Sequence, residues 1–290
     1  MSVTSSSETH PLRHPGLSAA PQPAGAPAAA GTPTWPNFQG TPQLVGTSQS
    51  QVSVYVDPSL GAQGTQNAND LLAAADGVVA KNNAIFATQG GATNVIIWAL
   101  NGPTDGTGGA DHAACNFTTG QNIEVDASFG NAERVAGLFE AELSECAMNG
   151  NLCGLSTGEA LSRWCAAVVS NNALSDFATA PQWAQDGMAD WVNQTDQTDQ
   201  NADSTGCGMA FISWLLSQNN TLMTIAQDMV SLGDSGTFAA LYAKLTGDQA
   251  TNAWPKFQAA VQGLSGGVTS DDPFGAFATA AAAVAAAAGG

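Results

Sequence analysis

An α+β fold is predicted, a small mixed sheet followed by a mostly helical half. Two observations predict it. Runs with strand character, QVSVYV at 51–56, NVIIWAL at 94–100 and NIEVDA at 122–127, are confined to the first 127 residues. From residue 131 onward, apolar side chains recur at three- and four-residue steps, the spacing of one helix face.

The elements follow in order. Residues 1–45 are rich in Ser, Pro, Ala, Gly and Thr and bring few large apolar side chains, so a disordered tail is expected. His10 and His14 lie in it and are not expected to be ligands. A single domain is expected at 46–264, and a Gly/Ala-rich low-complexity tail at 265–290. QVSVYV alternates and is β-branched, which marks a strand, and Asp57-Pro58 ends it. A helix is predicted at 67–87, with Asn67 or Asn69 as cap. NVIIWAL is continuously apolar, as a strand buried on both faces would be. The stretch from Asn101 to Gln121 reads as a long Gly-rich loop carrying His112. NIEVDA reads as a short edge strand, with Glu124 and Asp126 on one side. Further helices are predicted at 158–169, 208–218, 221–231, 236–245 and 252–263.

Composition excludes several functions. Six Lys plus Arg stand against 24 Asp plus Glu, a net charge of −18. Little in such a chain could neutralise phosphates, so no nucleic-acid partner is expected, and an anionic membrane would repel it. Apolar residues make up 44%, but much of this is Ala, and no membrane span is predicted. The start of the chain lacks a basic stretch followed by an apolar core. An ordinary signal peptide is therefore not expected; a cytoplasmic location, or export by another route, is. Five Cys leave at least one thiol outside any intramolecular disulfide. Cys146 and Cys153 bracket a short loop and could bridge it.

Asn131–Met148, NAERVAGLFEAELSECAM, is the stretch around which the chemistry gathers. Val135, Leu138, Phe139, Leu143 and Cys146 mark one apolar face, and Asn131 is placed to cap. Glu142 and Glu145, three apart, share a face. One account is a solvated acidic face. Another joins Glu142, Glu145 and Glu159 into an oxygen-rich site for a hard cation such as Ca²⁺. In a third, these carboxylates bond loop amides and Arg163. His112 with Cys115 on one loop suggests a nucleophilic pair only weakly; ordering the loop, or touching the acidic helix, suits His112 better. DGTGG at 105–109 is followed by no GK[ST], which removes a phosphate loop.

The frame Ala141-Glu142-Leu143-Ser144-Glu145 has the shape of a His-Glu-x-x-His zinc helix with both His replaced. Gly158-Glu159-Ala160-Leu161-Ser162, the apolar STGCGMAFISWLLSQ and the closing FAALYAKLTGDQATNAWPKFQAAV follow it. In this order, over roughly residues 50–263, the chain resembles the gluzincin-type zinc metallopeptidases. The resemblance implies a zincin-like fold, in which an edge strand aligns peptide beside the active helix. It places Glu142 at the base position and Glu159 at the Glu-ligand position, pointing toward Glu145, so that Glu159→Gln would relieve repulsion. Ala141 and Glu145 stand where the two zinc-binding His belong. With one His outside the tails, a His₂Glu site is excluded by counting, and zinc is not expected. Without metal, Glu142 has no activated water to act on.

Three functions remain open. The first is a degenerate gluzincin-like protein without zinc peptidase activity, whose cleft binds a peptide, polymer or cation through Glu145, Glu159, His112 and Arg163. The second is a hydrolase using the Glu142, Glu145 and Glu159 carboxylates without zinc. The third is a structural surface or secreted protein with no site.

Overall fold

The computed structural model describes residues 32–100, 102–113, 121–170 and 179–289. Its architecture is mixed α+β, with one five-stranded sheet and a larger helical portion. Strand β1 (Gln43–Thr47) pairs antiparallel with β2 (Val52–Val56), and β2 pairs parallel with β3 (Thr93–Trp98). Helix α1 (Gly61–Phe86) makes the crossover between β2 and β3. β3 pairs parallel with β5 (Gln121–Asp126), which pairs antiparallel with β4 (Ala110–His112). The spatial order is β1-β2-β3-β5-β4.

The two-residue period of a strand sorts the side chains. Val52, Val54, Val56, Val95, Ile97, Ile123 and Val125 face α1 and α2 (Ala132–Ala147) and make one core with Leu71, Leu138 and Phe139. On the other face, Ile96 is fully buried under Trp35 and Phe38. β3 is thus covered on both sides, as its continuous apolar run predicts.

NIEVDA does not lie at the sheet edge. β5 is flanked by β3 and β4, and Glu124 and Asp126 are fully buried. The edge on that side of the sheet is β4, within the stretch read as loop, and β1 is the other edge. Three residues, Ala-Asp-His, are too short to display alternation, and only pairing with β5 makes them a strand.

The expected tail boundaries also give way. Trp35 and Phe38 meet at 6.2 Å, and Trp35 meets Tyr55 at 5.2 Å, all edge-on. Two large aromatics a short stretch before β1 bury enough area to hold residues 35–38 against the sheet. At the other end, α9 (Phe277–Ala288) packs on α1 and on α3 (Ser156–Val169), burying Ala280 and Val284. Alanine is the best helix former, and its small side chain permits close approach to other helices. Asp272 caps α9 by accepting from Ala276 and Phe277 amides at 2.9 Å each, and accepts from Ser213 Oγ at 2.6 Å.

Helix α1 begins six residues before the first expected cap. Asp57 accepts from the Ser59 amide at 2.9 Å, so Asp57-Pro58 starts a helical turn as well as ending β2. The helical part continues as α4 (Thr179–Gln185), α5 (Ala202–Ser217), α6 (Leu222–Leu232), α7 (Phe238–Thr246) and α8 (Ala253–Gln262). Its core is aromatic. Trp183 stacks on Phe257 at 5.8 Å, and Phe211 meets Phe257 edge-on at 5.1 Å. Among the described residues no helix is long and apolar enough to cross a membrane.

Candidate functional site

Helix α2 is buried on every side from Arg134 to Ala147, so Glu140, Glu142 and Glu145 do not form a solvated face. Asn131 caps it as expected, accepting from the Arg134 amide at 3.0 Å. Pairing of β4 with β5 sets His112 opposite Ile123 and Asp111 opposite Glu124. His112 therefore shares the helix-facing side of Ile123, while Asp111 shares the opposite side with Glu124. This places His112 Nε2 at 3.0 Å from Glu145 Oε2 and 3.8 Å from Glu142 Oε2. All three side chains are at least 94% buried. The expectation that His112 touches the acidic helix is met in this geometry.

Glu159 goes elsewhere. Its Oε1 accepts from Arg163 Nε at 2.7 Å, one helical turn away and buried. The implied repulsion between Glu159 and Glu145 is replaced by an ion pair within α3, because Arg163 lies at the i+4 spacing that suits such a pair. Bonding to Arg163, the third account offered above, is the arrangement seen at Glu159.

On the far face of the sheet, residues 35–38 bind a second carboxylate pair. Glu124 accepts from the Phe38 amide at 2.8 Å, from the Asn37 amide at 3.1 Å and from Asn37 Nδ2 at 2.8 Å. Asn37 Nδ2 also reaches Asp111 Oδ2 at 2.7 Å, and Asp111 Oδ1 accepts from the His112 amide at 2.8 Å. Burial raises the Glu124 pKa; the bonds from Asn37 and Phe38 pull it back, and Asp111 pushes it up again. Neither Asn37 nor Asp111 was singled out from sequence. The available signal was the aromatic island Trp35-Pro36-Asn37-Phe38 inside a stretch otherwise poor in large side chains.

Two further buried groups frame α2. Arg134 donates to the Gly108 carbonyl at 3.0 Å. Gly108 must lack a side chain, since a Cβ there would stand 1.9 Å from Asp126 Oδ2. Glu140 is fully buried, and its oxygens find no hydrogen-bond partner among the described residues. Burial raises its pKa well above the ordinary range, and Lys81 only partly offsets this.

The cysteines depart from the simple bridge. Cys146, Cys165 and Cys207 are buried thiols, and Cys153 is disulfide-bonded, so Cys146 and Cys153 do not bridge their loop. Burial, then Glu142 and Glu145, raise the Cys146 pKa well above the ordinary thiol value, so its thiolate is strongly disfavoured there. Cys115 lies outside the described residues, and with it the Cys115–His112 pair.

Among the described residues, one group of metal-capable side chains brings its ligand atoms within 4.8 Å of one another: His112, Glu145 and Cys153. A sulfur in a disulfide is not a thiolate, and the thiolate is the form that binds metal. In the disulfide-bonded chain this leaves a histidine and a carboxylate, fewer than the three protein ligands of catalytic zinc. No family model, no curated protein and no solved structure matches this chain.

Proposed function

We propose that this protein is a non-peptidase on a zincin-like scaffold, and that it binds extended peptide along β4. One observation carries the reading. β4 and β1 are the two edge strands of the mixed sheet, both paired antiparallel, and β4 lies directly beside the helix that bears Glu142 and Glu145. In the family the sequence resembles, peptide is aligned by the edge strand next to the active helix.

The backbone of β4 alternates between its β5 side and its outer side. Gly109 and Ala113 bond to Asp126 and Asn122 of β5 at 2.9 Å each, so alternate residues face inward. Ala110 and His112 then direct their backbone groups outward. The His112 amide is taken by Asp111, and all three residues of β4 are buried, so a peptide reaches this side by displacing what covers it. Main-chain bonds to such an edge give affinity without chemistry. The buried His112–Glu145 pair holds β4 to α2.

Hydrogen exchange at residues 108–113, with and without extended peptides from a random library, tests the binding. Protection confined to that strand is expected, and Ala110→Pro, which removes one outward donor, should abolish it without altering the circular dichroism. Stoichiometric zinc in the disulfide-bonded protein, with peptide hydrolysis lost on chelation and in Glu142→Gln, would overturn the non-peptidase reading. Peptide binding unchanged in Ala110→Pro would overturn the strand-pairing one.

A further inference from the structure

We propose that His112, Glu145 and Cys153 form a redox-gated zinc site, closed while Cys153 is in its disulfide and opened by a dithiol reductant. The three side chains come from three separate elements: β4, the last turn of α2 and the turn that follows it. The turn doubles back tightly, with positive φ at Asn149, Gly150, Leu152 and Gly154, and the Leu152 amide is tied to Asp234 at 2.6 Å. This brings the Cys153 sulfur to within 4.8 Å of both His112 and Glu145.

The donor set suits the metal. Zinc takes imidazole, thiolate and carboxylate in a tetrahedron, at about 2.0–2.1 Å to nitrogen or oxygen and about 2.3 Å to sulfur. Those lengths put the nitrogen and oxygen ligands about 3.3 Å apart, and sulfur about 3.5 Å from either. His112 Nε2 and Glu145 Oε2 stand at 3.0 Å, so the pair opens by only a few tenths of an ångström. The sulfur closes by little more than one. A thiolate and a carboxylate also neutralise Zn²⁺, in a chain whose net charge is −18 and beside a second carboxylate, Glu142, at 3.8 Å from His112. Calcium, which prefers oxygen alone, matches this set poorly.

The chemistry balances. The dithiol gives two electrons and two protons to the cystine and itself becomes a disulfide, leaving two thiols on the protein. Zinc binding then releases the Cys153 thiol proton to solvent; the imidazole proton held between His112 Nε2 and Glu145 shifts to Nδ1 by tautomer exchange, and the zinc takes its place. Cys153 is partly exposed, whereas Cys146, Cys165 and Cys207 are buried, so a reductant or an alkylating agent has access to it first.

The test uses the full chain without oxygen. A phosphine reductant, which performs the same two-electron reduction by taking up the oxygen of a water molecule, avoids a dithiol competing for metal. Co²⁺ is titrated into oxidised and reduced protein, and zinc is then measured by equilibrium dialysis. The reduced chain should take up one Co²⁺, with thiolate-to-cobalt charge-transfer absorption that Zn²⁺ bleaches, while the oxidised chain shows neither. Cys153→Ser under reduction should lose the band and the stoichiometric zinc, and Cys146→Ser should keep both. Should Cys153→Ser fail to fold, iodoacetamide on the reduced wild type blocks the same sulfur and should abolish binding. Equal metal binding by oxidised protein, by reduced Cys153→Ser or by the alkylated chain would overturn the proposal. So would a reduced chain that binds none or loses its circular dichroism. Peptide pairing at β4 is measured on the oxidised, metal-free protein, so either idea can fail alone.

Discussion

The two parts of the core fill their interiors with different material. Around α4–α8 the buried side chains are aromatic and aliphatic, and from residue 200 onward the buried polar ones among the described residues are the hydroxyls of Ser204, Thr205 and Ser213. Around α2, β4 and β5 the interior holds Asp111, Glu124, Asp126, Glu140, Glu142, Glu145 and Glu159, together with His112, Arg134 and Arg163. Burying charge costs free energy unless it is paired and hydrogen-bonded. The helical part therefore supplies stability, and the sheet part uses some of it to hold carboxylates out of water. That contrast, more than any single motif, marks the region around α2 as the one on which the proposed function rests.

Substitutions on the two sides should separate sharply. The largest loss is expected in the helical part. Phe257, fully buried among Trp183, Phe211, Trp214, Trp254 and Phe274, should cost about 3–5 kcal/mol as Phe257→Ala, read from urea denaturation. A smaller loss than about 2 kcal/mol would show that the aromatic cluster collapses around the gap.

Glu159→Gln comes next. It removes the charge that Arg163 meets at 2.7 Å inside the protein, and about 3 kcal/mol should be lost. A stabilised variant would restore the picture of a crowded acidic cluster.

Glu140→Gln should act with the opposite sign. The folded-state pKa of Glu140 lies above its unfolded value, so the folded chain holds this proton more tightly. Its contribution is therefore full below about pH 4.5 and is lost as pH rises toward the folded pKa. Gln does not ionise, so the variant should gain on wild type by at least about 1 kcal/mol at pH 8, with the gap closing toward pH 4. Melting temperatures across that range decide it; a gap independent of pH would mean that ionisation of Glu140 is not what matters. The smallest effect is expected at the surface of the helical part, where Lys244 meets Asp228 at 3.1 Å with both side chains partly exposed. Lys244→Ala should shift stability by about 0–1 kcal/mol, less at high salt.

Much of the molecule was legible in the sequence because local patterns carry it. The periodicity of α2 and its Asn131 cap, the alternation of β2 and the continuous run of β3 are properties of short stretches, and each formed where those patterns lie. The pairing of Glu142 and Glu145 on one face followed from helix geometry alone. At the ends of the domain composition is a poor guide, because it averages over residues. Two aromatics, Trp35 and Phe38, outweigh the small residues around them, and an Ala-rich segment needs only a surface offering close contact to become α9.

What the sequence determined by itself was the α+β class, the elements with strong periodicity, and a charge balance hostile to nucleic acid. The tertiary structure alone decided which strand is the edge, which carboxylate meets His112 and which cysteine stands beside it. Those outcomes depend on pairing between residues distant in the chain. Strand order places Ala110–His112 outside β5, register turns His112 toward α2, and a single turn of chain brings Cys153 to the same point. No window of sequence contains those relations, because each is fixed by packing that forms only when the whole sheet and both helices are in place.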